Sequence, residues 1–535
     1  MASLEKELCK ITELIEKSTI IEERNPARYR LKLITHDLDP SEPYRKMTFG
    51  KRDSKKPHKT LLMVGETGTG KTTLINAIVN YMLGVKREDK VWFEITDDQG
   101  NWKDHSSTAI ITVYGVYDQK IPDDLTIIDT PGYGNTHGIT FDKEIAMNLL
   151  RLYEDGLHEI DAVCLVIDAS QTRLSDRQIY IFDAVQSLFG RDIAENIVLL
   201  FTHSTGAPPK NALLAVKEAK IKCAVNDKKK PVYFLFDNCQ SDAADEEQET
   251  IPEQSSEDFK EKSWNLSHSG MMGFFTFLEN IKPKTLHMTQ EVLQKRNQLE
   301  ANVSNLKLRI QVMDQKQNEL KQTQAALEMN RKYVEENNDF EYEAEVSYKE
   351  KIPISSEFWH LTKAATCCTV CQENCHYPGC WWVINLSWCS VMKKNHCTVC
   401  TNRCHYSKHV KEAKIYVAKT KKEKRTYEDL KKGYDGKIGD GMSLVKKLEE
   451  ELQELEKEKI KLLNEAYYSV ESLEMIALNT DSLLTLLHID FLIVKLKEIK
   501  ESEKAKKLED IKKRAGEDNT EGLKYIKGFS KNNIY

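Results

Sequence analysis

From His58 to about Lys284, short apolar runs alternate with longer amphipathic stretches. The runs predict strands at Thr60–Val64, Ile110–Val116, Leu125–Asp129, Ala162–Asp168, Asn196–Phe201 and Val232–Phe236. Helical periodicity falls at Thr72–Leu83, Phe141–Asp155, Asp176–Leu188 and Lys210–Val225. This alternation predicts an α/β domain over 57–284, with a mostly parallel sheet covered by helices on both faces. Ligands of such folds sit beyond the C-terminal strand ends. Residues 1–56 read as an N-terminal extension packed on that domain: Arg28–Leu33 alternates like a strand, and Pro40 and Pro43 interrupt the stretch beyond it. Ser241–Asp258 reads as a solvated acidic loop, and Met271, Met272, Phe274, Phe275 and Phe277 as a core helix that closes the domain.

The pattern then changes. Leu286–Tyr333 contains neither proline nor glycine and carries apolar residues at Leu299, Val303, Leu306, Ile310, Met313, Leu320 and Leu327, with Gln317 and Gln324 as interruptions. A second series runs through Val445, Leu448, Leu452, Leu455 and Leu462. These predict coiled-coil segments over 285–339 and 419–470. They pair either within the chain, as an antiparallel hairpin, or between chains, because heptads do not name a partner. Between them lies a cysteine-rich module, 340–418, with alternating residues on each side (Phe340 to Tyr348, and Ile415 with Val417) that are expected to pair as strands at its base. Residues 471–535 read as a helical segment and a charged tail.

Charged residues are 30% and hydrophobic residues 40% of the 535, as expected of a soluble protein with long charged helices. A formal net charge of −6 gives no reason to expect nucleic acid. Leu483–Leu496 is interrupted by His488 and Asp490, an amphipathic helix rather than a membrane span. No apolar signal-peptide core or prenylation box is present, so a cytoplasmic location is expected.

The candidate chemistry centres on Gly65-Glu66-Thr67-Gly68-Thr69-Gly70-Lys71-Thr72, set between a predicted strand and a predicted helix. Glycines there let backbone N–H groups converge on phosphate, at a helix N-terminus whose dipole favours anions. Lys71 would reach the β- and γ-phosphates, and the Thr72 hydroxyl would ligate Mg²⁺. Asp129-Thr130-Pro131-Gly132, at the end of a strand, supplies the second half: a carboxylate for the Mg²⁺ shell and a Gly132 N–H that senses a γ-phosphate. Thr108, or alternatively Ser107 or Thr112, would close on the metal, and Gly134–Gly138 suits a loop ordered by nucleotide.

After the strand Asn196–Phe201 comes Thr202-His203-Ser204-Thr205-Gly206, where many GTPases place Asn/Thr-Lys-x-Asp. Here the chain resembles the septin-like branch of phosphate-loop GTPases, which includes the immunity-associated nucleotide-binding proteins and the chloroplast import receptors. Gly65–Thr73, Asp129–Gly132, Thr202-His203 and Asn238 match that branch's elements over about residues 58–280. The resemblance implies GTP or GDP with Mg²⁺, base contacts from His203 and Asn238, slow hydrolysis, and self-association across the nucleotide. Two positions depart from the common GTPase pattern. The acid that reads guanine would fall at Thr205, which predicts weakened discrimination against adenine, and Tyr133 stands where small GTPases orient water with glutamine. Beyond 280 the layout resembles a group of animal proteins that carry this GTPase domain.

Nine of thirteen cysteines fall between Cys367 and Cys404. Cys368-Thr-Val-Cys371-x₃-Cys375-His376-Tyr377 recurs as Cys397-Thr-Val-Cys400-x₃-Cys404-His405-Tyr406. Paired Cys-x₂-Cys knuckles suit zinc, with a disulfide cluster as the alternative, and with Cys380, Cys389, His396 and His409 there are ligands for two ions. Trp381, Trp382 and Trp388 are expected to pack the module; base stacking is the alternative. The sequence thus points to a GTP-binding, slow Mg²⁺-dependent GTPase acting as a switch or assembly factor, associating with itself through the GTPase domain or the coiled coils. The alternative is a coiled-coil scaffold that binds nucleotide with little hydrolysis; an ATPase is a third reading.

Overall fold

The computed structural model describes residues 10–515 except 37–43, 97–109, 120, 134–144, 147, 150, 154, 172–175, 242–252, 337, 355–363, 378–384, 390, 427, 429–440 and 481. The chain divides into two compact units: residues up to Leu293 with Ile476–Leu483, and Gln294–Met475 with Leu484–Ala515.

The first unit is built on an eight-stranded sheet. In chain order its strands are β1 (Ile34–Thr35), β2 (Tyr44–Gly50), β3 (His58–Gly65), β4 (Ile111–Tyr117), β5 (Asp124–Asp129), β6 (Ala162–Asp168), β7 (Ile197–Thr202) and β8 (Tyr233–Leu235). They lie in the order β8-β7-β6-β3-β5-β4-β2-β1. Pairing is parallel except between β4 and β5 and between β1 and β2. Strands β3, β6 and β7 are nearly continuous apolar runs because both faces are covered. Leu61, Met63 and Cys164 share one buried cluster with Leu74, Ile75 and Ile78 of helix α1 (Lys71–Leu83). Three further helices are α2 (Asp176–Gln186), α3 (Lys210–Glu218) and α4 (Glu253–Asn280). Met271 and Phe274 of α4 are buried as expected, Phe275 and Phe277 are half-buried, and Met272 faces solvent. Of Phe141–Asp155, the described residues 145–146, 148–149 and 151–153 are helical.

Two differences from the sequence reading have clear causes. Tyr44–Gly50, assigned to the extension, pairs along its whole length with β4, from Tyr44↔Ile111 to Gly50↔Tyr117. It lacks an apolar run because it lies toward the sheet edge, covered only by the two-residue β1. Helix α3 stops at Glu218, short of Val225, because Lys220 adopts a left-handed backbone (φ 52°) and the chain turns toward a bridge between Val225 and Pro231. A small sheet of Ser18–Glu22, Ala27–Leu31 and Val91–Glu94 lies in the same unit.

The second unit contains the part of α5 (His287–Met329) beyond Leu293, and in chain order β9 (Glu341–Pro353), β10 (Ala365–Cys368), β11 (Glu373–His376), β12 (His409–Glu412), β13 (Lys414–Thr426), α6 (Gly441–Ile476), α7 (Leu483–Glu498) and α8 (Ser502–Ala515). Arg309 pairs with Glu458 and Lys316 with Glu451. As one partner advances along α5 the other retreats along α6, which is an antiparallel arrangement within one chain. Leu299, Val303, Leu306, Leu320 and Leu462 are buried there. Strands β9 and β13 pair from Glu341↔Thr426 to Pro353↔Lys414, the ribbon expected at the base of the cysteine module. Helix α7 buries Leu486, Ile489, Leu492 and Leu496 and exposes Asp490. No helix among the described residues is long and apolar enough to cross a membrane.

Candidate functional site

Strand β3 ends at Gly65, and the loop Glu66–Gly70 leads directly into α1. The N-terminus of α1 has no side-chain cap and no acidic residue in its first turn, so its leading N–H groups and the positive end of its dipole are left to the loop. Gly70, in the capping position at φ 77°, must be glycine for two reasons. L-residues avoid that region, and a Cβ there would lie 2.5 Å from Asn238 Nδ2.

Lys71 lies under the loop with 8% of its surface exposed. Its Nζ donates to the carbonyls of Gly65 and Glu66, both at 3.0 Å, and it makes no ion pair among the described residues. Burial pushes its pKa below 10.5, opposed by the negative charges of Asp129 and then Glu66. Both carbonyls have other donors, Tyr133 N for Gly65 (3.1 Å) and Thr69 Oγ1 for Glu66 (2.9 Å), so Lys71 is not there to satisfy them. A buried ammonium, an uncapped helix start and a glycine-lined turn fit a polyanion such as a triphosphate. Thr72 and Thr73 come next in the first turn of α1, half-buried.

The second half of the site meets the first through the sheet. Asp129, the last residue of β5, is paired with Met63 of β3, two residues before Gly65. Thr130 Oγ1 donates to Met63 O (2.8 Å) and fixes the turn. Tyr133, wholly buried, donates its N–H to Gly65 O and accepts from Thr67 N (3.4 Å). A Cβ on Gly132 would lie 2.6 Å from Thr67 Cα, so this close approach requires glycine. Thr108, the expected third metal residue, lies outside the described residues, as do Ser106, Ser107 and Gly134–Gly138.

The predicted base-contact residues also converge. Asn238 Nδ2 donates to Gly70 O (3.0 Å), and His203 Nε2 would stand 3.4 Å from a Cβ on Gly70. Both have left-handed backbones, His203 at φ 52° and Asn238 at φ 68°. Asn238 Oδ1 is buried without a hydrogen-bond partner among the described residues. Thr205 is exposed, with no acid in its place. Sequence reasoning did not foresee the tethers. Thr202 Oγ1 donates to Thr69 O at 2.6 Å, tying β7 to the loop. Asn80 both donates to and accepts from the backbone of Phe93, and Asn76 Oδ1 accepts from Ile95 N, which anchors α1. Polar residues within the apolar stripe of a predicted helix were the available signal.

In the cysteine module, two sets of ligand atoms lie mutually within 4.8 Å: Cys368, Cys371, Cys400 and Cys404, and Cys375, Cys397, Cys400 and His409. Cys371 Sγ and Cys404 Sγ are 3.8 Å apart, too far for a disulfide. Burial pushes the Cys368 thiol up to about 11. Hydrogen bonding from Cys375 and Cys400 holds Cys397 down at about 4. Other candidate ligands fall elsewhere. His376 Nδ1 contacts Cys389 Sγ at 3.3 Å, apart from both sets, and His405 Nδ1 meets Ser407 Oγ at 3.0 Å. Cys380, with Trp381 and Trp382, lies outside the described residues. Cys367, not foreseen as distinct, donates to Asn374 Oδ1 and Lys414 O instead.

No curated protein matches the chain in sequence. Among solved structures, Toc33 from Arabidopsis thaliana in complex with Mg²⁺ and GMPPNP is similar at 16% identity over 43% of this chain and 88% of that one, with a TM-score of 0.28. The same protein in complex with GDP and Mg²⁺ matches at 16% identity over 43% and 87%, also with a TM-score of 0.28. Residues 59–269, which span β3 to β8 and most of α4, match the AIG1 family.

Proposed function

We propose that the chain is a guanine-nucleotide-binding protein and a slow Mg²⁺-dependent GTPase whose nucleotide state governs self-association or a partner. The observation that carries this reading is Lys71, a buried cation with no ion pair among the described residues, beneath an uncapped helix start. In this reading Lys71 and the N–H groups of Glu66–Thr73 hold the β- and γ-phosphates. Thr72 and Asp129 hold Mg²⁺, which supplies charge neutralisation at the phosphates. Gly132 N–H faces the γ-phosphate, and Thr67, which meets the Gly132–Tyr133 turn, links that sensor to the loop. Asn238 Oδ1 accepts from a base N–H, and His203 packs beside it. Tyr133 is fully buried and stands where small GTPases place a water-orienting glutamine, which supports slow turnover.

Two results would test this. Nucleotide released from purified, denatured protein and identified by chromatography should be GTP or GDP; recovery of ATP or ADP alone would overturn the guanine assignment. Single-turnover hydrolysis at low and high protein concentration should be slow and should accelerate on association. The cysteine-rich segment, in the same proposal, is a zinc module. Its support is the two ligand sets and the absence of disulfides among the described cysteines.

A further inference from the structure

The two cysteine copies are identical in spacing, with ligands at the first, fourth and eighth positions: Cys368, Cys371 and Cys375, then Cys397, Cys400 and Cys404. Spacing alone lets each copy hold its own ion. The structure arranges them otherwise. The first set joins Cys368 and Cys371 of one copy to Cys404 of the other, and the second joins Cys397 and Cys400 to Cys375. We infer that the copies are interlocked in a two-ion zinc centre, each ion held by the Cys-x₂-Cys pair of one copy and the third cysteine of the other, with His409 on the second ion and Cys400 shared. The inference rests on the zinc reading above and adds its connectivity.

Several independent observations converge on it. A tetrahedral ion with Zn–S of about 2.3 Å sets sulfur–sulfur edges at roughly 3.8 Å. The cross-copy pair Cys371–Cys404 stands at 3.8 Å. Each copy is a hairpin that presents its knuckle at the turn. In the first, β10 pairs with β11 at Cys368↔Glu373, and in the second, Cys397 N donates to Cys404 O at 2.9 Å. Backbone N–H groups point at the sulfurs, Cys371 N at Cys368 Sγ (3.3 Å), Cys400 N at Cys397 Sγ (3.3 Å) and Cys404 N at Cys400 Sγ (3.2 Å). Such donation stabilises thiolate over thiol.

His409 supplies a second kind of observation. It is 4% exposed, and β12 sets it directly opposite Cys368 of β10. Its Nδ1 is 3.1 Å from the carbonyl of His405, which can only accept, so the proton sits on Nδ1. That leaves the Nε2 lone pair, buried with no hydrogen-bond partner among the described residues, within the second set. This is the orientation of a metal-ligating histidine.

The faces of the two copies are fastened to each other without metal. Glu373 of the first copy, buried, accepts from Thr401 N of the second at 2.8 Å and from Arg309. Charge is also arranged for a sulfur-rich ion: Lys349 Nζ sits on the carbonyls of Cys371 and Gln372 (3.0 and 3.1 Å), next to the set that has no histidine. On binding, each ligating thiol gives its proton to solvent, and the Zn²⁺ charge is met by thiolates.

The test uses the full, unaltered chain purified under reducing conditions. Its zinc content is measured, and then a chelator is added in graded amounts with a fast thiol-alkylating reagent. Modified cysteines are mapped by mass spectrometry. The expected result is two zinc ions per chain and two groups of release. Cys404 becomes reactive together with Cys368 and Cys371, Cys375 together with Cys397, and Cys400 with whichever group opens last. Grouping of Cys404 with Cys397, or of Cys375 with Cys368 and Cys371, would show that each copy holds its own ion and overturn the interlock. Release of all six in one step, or of Cys400 with the first group, overturns the two-ion shared arrangement. Absence of bound metal from the intact chain refutes the zinc reading itself, a result distinct from any of these.

Discussion

Substituting Lys71 by methionine separates what this residue does for the fold from what it does for a ligand. The side chain keeps its length and loses its charge. In the nucleotide-free protein the loss is small. The ammonium gives up two hydrogen bonds of 3.0 Å, but Gly65 O keeps Tyr133 N and Glu66 O keeps Thr69 Oγ1, so neither carbonyl is orphaned. Against that loss stands relief from burying a cation, the same burial that pushes the Lys71 pKa down. Melting of the nucleotide-free variant should therefore stay close to that of the parent, within about 1 kcal/mol. Binding behaves differently. A charge-assisted contact to phosphate is worth roughly 1.5–3 kcal/mol per hydrogen bond, so two such contacts put the loss in affinity at about hundred-fold or more. With GTP and Mg²⁺ at a hundred times the dissociation constant, the parent gains about 2.7 kcal/mol. For a domain of about 200 residues that is a rise of roughly 5–10 °C in melting temperature. The assay is a pair of melts, with and without GTP, alongside titration of a fluorescent GTP analogue. Equal ligand-induced stabilisation of Lys71→Met and parent would refute the assignment of this loop as the phosphate site.

Gly132→Ala brings a Cβ to 2.6 Å from Thr67 Cα, a backbone atom that cannot yield, so nucleotide affinity should fall and stability drop by about 1–3 kcal/mol in the same melts. Thr205→Asp adds a carboxylate at an exposed position beside His203 and should raise the preference for GTP over ATP at least tenfold in competition titrations; no change would mean that Asn238 reads the base unaided. Burial lowers the His58 pKa from 6.5, so between the folded value and 6.5 the unfolded chain binds the extra proton. Stability of the first unit should be full above about pH 6.5 and decline as the pH falls through the folded value, a dependence that His58→Gln should flatten. Chelation should render 340–418 sensitive to protease while nucleotide binding persists; unchanged digestion would show that the module does not depend on metal.

What could be read from the sequence was whatever is local in the chain. The candidate phosphate loop is legible because strand, glycines and helix start are consecutive, and the strand Ala162–Asp168 is legible to the residue because a strand buried on both faces is an unbroken apolar run. Tyr44–Gly50 was not legible. Its polar alternation belongs to a strand near the sheet edge, and its partner β4 lies more than sixty residues away. The same limit applied to the site. Thr202 and Asn238 could be matched to nucleotide elements, but their bonds to Thr69 O and Gly70 O depend on β7 and β8 being neighbours in the sheet. In the cysteine module the duplication was visible and the connectivity was not, because six ligands at equal spacings look the same whether copies act alone or exchange their third cysteine.

Around the loop, several unmet demands fall in one place. His203 and Asn238 hold left-handed backbones, which costs about 1–2 kcal/mol for a residue such as histidine and less for asparagine. Asn238 Oδ1 is a buried acceptor without a donor among the described residues, a cost of about 1–3 kcal/mol. Lys71 is a buried cation with no ion pair among the described residues, and α1 begins without a side-chain cap. Taken separately, each is an ordinary imperfection. Together they amount to several kcal/mol, a large share of the roughly 5–15 kcal/mol by which a domain is stable at all. A fold keeps such a concentration of strain and unpaired charge where a ligand relieves it. The demands are also chemically specific: the cation and the helix start call for an anion such as phosphate, and the orphaned carbonyl oxygen calls for a hydrogen-bond donor. Random defects would be scattered and of mixed character; these gather around one loop.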